Sequence, residues 1–142
     1  MPRFEPLPGL EDTNFLSQED VDFFHTEILE PGQLPGYNSL DGLLSALGRP
    51  ANALCYDVGC DLIRIAAYYW HGISTSHGYT DGNKRTGFVS ANNFLLMNGI
   101  SFEAPDHATG RLIEKLFKNR TKKERFDLDV LEDILRRHCH WS

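Results

Sequence analysis

The chain has 142 residues, of which 41% are hydrophobic and 24% are charged, a balance typical of one globular domain. Its net charge of −6 gives no general attraction for nucleic acid or an anionic membrane, so we expect neither as a partner. No apolar run approaches the ~18 residues of a membrane-spanning helix, and no apolar signal segment follows the N-terminus, so we expect a cytoplasmic protein.

The first predicted element is a helix over residues 18–29, which Ser17 can cap and which a Pro-Gly pair ends. The segment 31–38 contains two Pro-Gly pairs and is therefore expected to be a loop. Leucines at helical spacing predict a short helix over 39–47, which we expect to end at the Gly and Pro within 48–50.

Two buried helices form the predicted centre of the fold. Apolar residues at helical spacing, spread over a broad face, predict the first of them over 52–70. The pattern vanishes in 71–82, where small and polar residues predict a loop, and it resumes in a second helix over 83–98. Gly99 is well suited to the left-handed position that ends this second helix.

The C-terminal part is expected to be mainly helical. Residues 100–104 are predicted to form a brief extended piece, and apolar spacing predicts helices over roughly 106–119 and 127–138. No other segment has the alternating pattern of a strand. The predicted fold class is therefore all-α, with one domain over 1–142 that begins with an irregular segment over 1–15.

A polar loop that leads into the second central helix carries the candidate chemistry, and its sequence is His77-Gly78-Tyr79-Thr80-Asp81-Gly82-Asn83-Lys84-Arg85-Thr86-Gly87. Gly82 lets the backbone turn tightly and approach a ligand closely. The N–H groups of the first helical turn have no intrahelical acceptors and form an anion site at the positive end of the helix dipole. Lys84 and Arg85 oppose that dipole unless an anion lies beside them, which indicates phosphate.

Two further side chains of this loop can take part in a reaction. Asp81 supplies a hard oxygen ligand beside the predicted phosphate, which is a common way of holding Mg²⁺. His77 carries an imidazole, a common general base, and can accept a proton from an incoming hydroxyl, while Tyr79 can pack beneath the loop and hold the imidazole. The spacing matches neither a Walker loop nor a kinase-type glycine-rich loop, so the residues predict a compact phosphate site with its own base.

Each of these features also has an ordinary structural explanation. A single loop histidine is usually solvated, Asp81-Gly82-Asn83 is a common turn and capping sequence, and a Lys-Arg pair usually lies on a solvated surface. Turn chemistry alone rarely places a base, a carboxylate, a glycine and paired cations within nine residues, and the combination favours the functional interpretation.

The stretch from His77 to Thr86 resembles the signature of the Fic/Doc superfamily, which in its general form reads H-P-F-x-[DE]-G-N-G-R-x-x-R. Lys84 stands where the Doc (death-on-curing) branch has a lysine. Residues 34–36, 42–50 and 94–99 are similar to segments that flank the motif in Doc proteins, so the likeness extends from about residue 16 to residue 99.

The resemblance implies a role for each residue of the motif. His77 matches the general base that deprotonates a hydroxyl of a target protein, Asp81 matches the carboxylate that serves Mg²⁺, and Tyr79 replaces the usual phenylalanine as the anchor of the loop. The expected contacts to the phosphates of ATP come from Gly82, Asn83, Lys84, Arg85 and Thr86.

Two departures from the general Fic signature bear on the reaction. Phe88 replaces the second arginine, and Lys84 replaces a small residue, so the resemblance favours Doc-like transfer of the γ-phosphate of ATP to a protein hydroxyl. It further implies a toxin that acts on a translation elongation factor and is held by a small antitoxin. A separate antitoxin is expected because the inhibitory pattern S/T-x-x-x-E-[GN] is not found in the chain: residues 26–30 come close to it but are followed by Pro31. The alternatives are Fic-type adenylyl transfer (AMPylation) and a non-catalytic nucleotide-binding domain.

Overall fold

The computed structural model describes residues 3–5, 12–57, 59–103, 111 and 127–142. Within them lie five helices and two short strands, in the order α1 (Gln18–Ile28), α2 (Leu40–Tyr56), α3 (Leu62–Thr75), α4 (Asn83–Met97), β1 (Ile100–Phe102), α5 (Leu128–His138) and β2 (Cys139–Trp141). The predicted all-α class is confirmed. None of the described helices combines the length and the apolar character needed to traverse a bilayer.

The helix α3 is the centre of the core and packs against α2, α4 and α5. Its side chains are buried around almost the whole circumference, as its broad apolar face predicts. Tyr69 and Trp70 are fully buried. The ring centroid of Tyr69 lies 5.1 Å from that of Phe94, and the ring centroid of Trp70 lies 4.8 Å from that of Phe88, both on α4. Among the described elements, α3 and α4 are therefore the pair of helices with the most extensive packing.

The predicted end of the second helix at Gly48 and Pro50 is wrong, because α2 continues through both residues to Tyr56. An interior proline removes one helical hydrogen bond and crowds the preceding turn. The helix nevertheless continues because its buried residues form one stripe along its whole length; they are Leu43, Ala46, Pro50 and Ala53. The packing of that stripe against α3 outweighs the local cost at Pro50.

The predicted loop also begins too early, since α3 extends to Thr75 instead of ending near residue 70. Its last turn contains Gly72, Ile73 and Ser74, which have little helical pattern among themselves but are all buried. Small residues in this turn let α3 approach its neighbours closely, and the tertiary packing determines the helix end.

The predicted start of the first central helix near residue 52 is wrong as well, because residues 52–56 belong to α2 and α3 begins at Leu62, which Asp61 caps. Several other predicted boundaries are confirmed. Ser17 caps α1 in a capping box with Asp20, and α4 ends before Gly99, whose φ is +83°. The extended piece is β1, which pairs antiparallel with β2 so that Ile100 lies opposite Trp141. The predicted helix over 106–119 lies outside the described residues except for position 111, and the extent of the domain, including the irregular N-terminal segment, stays a prediction.

A buried ion-pair network holds the N-terminal end of α3 to α5. Asp61 is fully buried and accepts hydrogen bonds from both terminal nitrogens of Arg136, at 2.9 and 2.8 Å. It also accepts the backbone N–H groups of Phe4 and Arg64, each at 3.1 Å. Burial by itself would raise the pKa of Asp61, but these hydrogen bonds outweigh it and hold the pKa below its usual value.

Candidate functional site

The loop between α3 and α4 is held against the start of α2 at Gly78. A Cβ atom on Gly78 would lie 2.7 Å from the Cβ of Leu43, so only glycine fits this approach. The carbonyl of Gly78 accepts the backbone N–H groups of Asn38 and Ser39 at 2.8 and 3.1 Å. His77, immediately before it, is exposed and has a φ of +53°, a left-handed conformation that is unusual for a residue with a side chain.

The N-terminus of α4 is called open here because no side chain of the described residues caps it. Gly82 is its N-cap and has a φ of +81°. The first helical hydrogen bond runs from the N–H of Thr86 to the carbonyl of Gly82, at 3.0 Å. The N–H groups of residues 83–85 precede that bond, and together with the helix dipole they favour an anion at this position.

Of the residues predicted to bind phosphate, Asn83 has a side chain that is hydrogen-bonded within the loop, and Thr86 has a side chain that is fully buried. Asn83 accepts the N–H of Tyr79 at 2.9 Å and donates to the carbonyl of the same residue at 2.8 Å, so its amide clips the loop together. Thr86 is fully buried, and its hydroxyl makes no hydrogen bond to the described part of the chain. Asn83 can still offer its backbone N–H at the open helix end, whereas the backbone N–H of Thr86 makes the first helical hydrogen bond.

The carboxylate of Asp81 is half-buried and oriented by residues that precede the loop in the sequence. One of its oxygens, Oδ2, accepts the backbone N–H of Leu34 at 2.7 Å. The main-chain carbonyl of Asp81 is 2.7 Å from Nε2 of His25, which donates to it. Within the described residues no three His, Cys, Asp or Glu side chains converge as a complete metal site, so Asp81 offers a single carboxylate.

The predicted cations lie in the first turn of α4. Arg85 is half-exposed and forms an ion pair with Glu30, just beyond the end of α1. Lys84, one residue earlier, is partly buried.

One turn further on in α4, the ring of Phe88 lies 4.8 Å from that of Trp70 and 5.7 Å from that of Phe102. The position of the second Fic arginine is thus part of the aromatic core in this chain.

Tyr79 lies beneath the loop and is only 3% exposed. Its ring stacks on that of His25, with centroids 3.7 Å apart, and its hydroxyl donates to Oδ1 of Asp22 at 2.6 Å. Burial and this hydrogen bond raise the pKa of Tyr79 far above its usual value, so the hydroxyl stays protonated.

The contribution of α1 to the site was not predicted from the sequence. Asp22 and His25 both belong to α1, and His25 is buried one turn after the core residue Val21. A buried histidine on the apolar face of a helix needs a hydrogen-bond partner. The position of His25 one turn after Val21 was the feature of the sequence that could have indicated such a partner. No pattern in the sequence identified that partner, because it lies 56 residues away.

The geometry brings together groups suited to binding an anion and moving a proton. An exposed imidazole, an oriented carboxylate, an open helix N-terminus and a half-exposed guanidinium belong to one short segment, residues 77–85. Such an arrangement can hold a phosphate chain at the helix end and accept a proton from a hydroxyl that approaches it.

Known proteins share this segment and its surroundings. The family described as Fic/DOC matches residues 15–95, which include α1 to α3, most of α4 and every residue of the site. The chain therefore belongs to the Fic/Doc family, as its motif predicts. A relative named protein kinase doc, from Escherichia phage P1, is 32% identical over 95 residues, which are 66% of this chain and 75% of that protein. This similarity assigns the chain to the Doc branch.

Proposed function

We propose that this protein is a kinase that transfers the γ-phosphate of ATP to a hydroxyl group of another protein. The open N-terminus of α4, directly after a loop that carries an exposed histidine, is the observation on which the proposal rests. The name of the relative from phage P1 supports phosphate transfer over other reactions of the family. Phe88, which is partly buried and packs against aromatic rings where Fic proteins carry an arginine, also supports phosphate transfer.

In the proposed reaction the target hydroxyl oxygen attacks the γ-phosphorus while the bond to the β-phosphate oxygen breaks, and ADP leaves. His77 accepts the hydroxyl proton. The N–H groups of residues 83–85, with Lys84 and Arg85, hold the phosphates and balance the charge that develops during transfer. The loop positions these groups because Gly78 and Asn83 fix its backbone on both sides of Tyr79.

The site is suited to Mg²⁺ bound together with ATP. Asp81 has one oxygen held by the N–H of Leu34, which orients the carboxylate as a second-sphere partner does at a metal site. Mg²⁺ is usually held by one or two carboxylates together with phosphate oxygens and water, so one carboxylate suffices. When bound, the ion would neutralise charge on the phosphates.

The Doc branch also supports a biological role as a growth-arresting toxin. We propose a component of the translation machinery, of the elongation-factor class, as the target protein, and a small antitoxin as the inhibitor. Expression of the wild-type chain in a bacterial host is expected to stop growth and protein synthesis, whereas His77→Ala is expected to do neither. Growth arrest by the His77→Ala variant at equal expression would contradict a toxicity that depends on transfer.

A labelling experiment tests the proposed reaction. The protein is incubated with a cell lysate and Mg²⁺, with ATP labelled at either the γ- or the α-phosphate. We expect label on a protein band from γ-labelled ATP alone, and a loss of about 10²–10⁴-fold in rate for His77→Ala, the range that a general base contributes. The exposed His140, on β2, supplies the control His140→Ala, which should retain the full rate.

Label that arrives only from the α-position would replace phosphorylation with adenylyl transfer. Binding of ATP without transfer of either label would instead support a non-catalytic nucleotide-binding domain.

A further inference from the structure

A carboxylate on α1 connects two segments that are separate in the sequence. Asp22 accepts the hydroxyl of Tyr79, in the loop before α4, on Oδ1 at 2.6 Å. On its other oxygen, Oδ2, it accepts the hydroxyl of Tyr37 at 2.5 Å. Tyr37 belongs to residues 31–38, here named the flap, and its hydroxyl also accepts the side-chain amide N–H of Gln18, at 3.0 Å. One side chain thus binds the flap and the loop together.

The flap is attached to the same loop by its backbone. Tyr37 and Tyr79 form an isolated antiparallel bridge. The N–H of Thr80 donates to the carbonyl of Gly36 at 3.0 Å, and the N–H of Asn38 donates to the carbonyl of Gly78 at 2.8 Å. The flap therefore pairs with the residues immediately before Asp81, and it also supplies the N–H of Leu34 that orients the carboxylate of Asp81.

The remaining surface of the flap gives it little support. Leu34 is 59% exposed and Tyr37 is 43% exposed, and both Pro-Gly pairs of the flap lie at the surface. Backbone hydrogen bonds that water can reach hold such a segment only weakly. The hydrogen bonds to Asp22 are of the stronger, charge-assisted type, and the stacked rings of His25 and Tyr79 lie beside them.

Both tyrosines are suited to this contact because they keep their protons. The hydrogen bond to Asp22 raises the pKa of Tyr37, and burial together with the same carboxylate raises the pKa of Tyr79. Each hydroxyl therefore remains a donor to the shared carboxylate throughout the physiological pH range.

From this geometry we infer that Asp22 is a positioning residue for the transfer reaction: it holds the flap on the loop and thereby fixes Asp81 and His77. Its kinetic consequence rests on the proposed function, whereas its effect on the flap does not. The simpler alternative is that Asp22 only stabilises the fold as a whole. The two differ in where Asp22→Asn acts, because a positioning role changes the flap and the loop but leaves α3 unaffected.

Amide hydrogen exchange on the full chain separates them without any need for activity. The reporters are the N–H groups of Leu34, Asn38 and Thr80, which bond between the flap and the loop. In Asp22→Asn we expect exchange of these amides to accelerate about tenfold, the effect of losing a charge-assisted hydrogen bond, with exchange in α3 unchanged. Tyr37→Phe, which removes one hydroxyl only, should accelerate the same amides to a smaller extent.

The matched control is Glu27→Gln, which makes the same carboxylate-to-amide change at an exposed position of α1. It should leave all of these exchange rates as they are in the wild type. Unchanged flap exchange in Asp22→Asn, or an equal acceleration in the flap and in α3, would overturn the inference.

Kinetics test the consequence for transfer. For Asp22→Asn and Tyr37→Phe we expect the labelling rate at saturating ATP to fall, by about tenfold in the first variant, while the ATP concentration at half-maximal rate stays within about twofold. A normal rate in a variant whose flap amides exchange faster would show that the flap does not position the reacting groups, and would overturn the kinetic part. If the wild type transfers no phosphate at all, the proposed function fails, and the exchange result still decides whether Asp22 holds the flap.

Discussion

The two ends of α3 use polar residues in opposite ways. At its N-terminal end the carboxylate of Asp61 is buried and takes four hydrogen bonds from Arg136 and two backbone groups. The C-terminal end lies about 21 Å away, the length of a helix of 14 residues. Beyond it, His77 is exposed and the first turn of α4 has no side-chain cap within the described chain. Polar groups are satisfied by one another at the first end, whereas at the second no side chain of the described residues caps the helix.

The contrast separates a stabilising cluster from a binding site, although both contain charges. A buried carboxylate whose hydrogen-bonding capacity is filled cannot bind anything else, and its removal affects folding. An open helix N-terminus beside a strained histidine contributes little to stability and is available to a ligand. We therefore expect substitutions of these polar groups at the first end to change the free energy of unfolding, and substitutions of those at the second to change binding or transfer.

The largest stability effect is expected for Asp61→Ala. This change removes the carboxylate that accepts both terminal nitrogens of Arg136 and leaves Glu132 as the acidic partner of its Nε. Losses of about 3–5 kcal/mol are typical when one member of a buried ion pair is removed. Urea unfolding measures the loss. The control is Asp133→Ala, which removes a half-exposed partner of Arg137 and should cost no more than about 0.5 kcal/mol. Equal effects of the two substitutions would contradict a stabilising role that depends on burial.

The same cluster predicts how stability depends on pH. Asp61 and Asp57 have pKa values below their ordinary ones, Asp61 through hydrogen bonds that outweigh its burial and Asp57 through the hydrogen bond from Arg64. A carboxylate with a lowered folded-state pKa stabilises the protein above its unfolded-state pKa, and that stabilisation is lost as the pH falls through the folded-state value.

The free energy of unfolding should therefore decline below about pH 4, near the unfolded-state pKa of aspartate. Urea unfolding at a series of pH values measures this decline, and Asp61→Asn should flatten it. A variant with the same acid dependence as the wild type would show that other carboxylates cause the decline.

A smaller loss is expected at the loop end for Gly78→Ala, because the new Cβ would lie 2.7 Å from that of Leu43. Overpacking of this kind typically costs about 1–3 kcal/mol, and displacement of the loop should also lower the labelling rate. Gly48→Ala is the matched control in α2, where nothing lies within 4 Å of an added Cβ. It should stabilise the helix by about 0.5–1 kcal/mol. Thermal unfolding of both variants tests the difference in sign.

The smallest effect concerns the ion pair between Arg85 and Glu30. Both side chains are about half-exposed, so the pair itself is worth less than about 1 kcal/mol. If Arg85 also binds phosphate, Glu30 competes with the nucleotide, and Glu30→Gln should tighten ATP binding by about two- to fivefold at low salt. Calorimetric titration measures the change. Weaker binding in the variant would mean that Glu30 assists the nucleotide site.

Local sequence patterns predicted those parts of the fold that local chemistry decides. The capping box at Ser17, the left-handed Gly99 and the polar motif before α4 are each defined within a few residues. The continuation of α2 through Pro50 was missed because packing against α3 decides it.

The same distinction holds for the candidate site. His77, Asp81 and Arg85 could be selected because the motif is contiguous. Asp22 and Tyr37 could not, since they reach the loop across 57 and 42 residues of sequence, and only the fold shows that their hydrogen bonds and ring contacts meet at Tyr79. Nor does the sequence distinguish a side chain that faces a ligand from one that clips the loop, as Asn83 does.

The most direct test of the central claim is the intact mass of a target protein after reaction with ATP and Mg²⁺. The labelled protein from the lysate is purified and incubated with the wild type and with His77→Ala. The proposed function predicts a mass increase of one phosphate group with the wild type and none with His77→Ala. An increase of one AMP group, or a phosphate added equally well by His77→Ala, would contradict it.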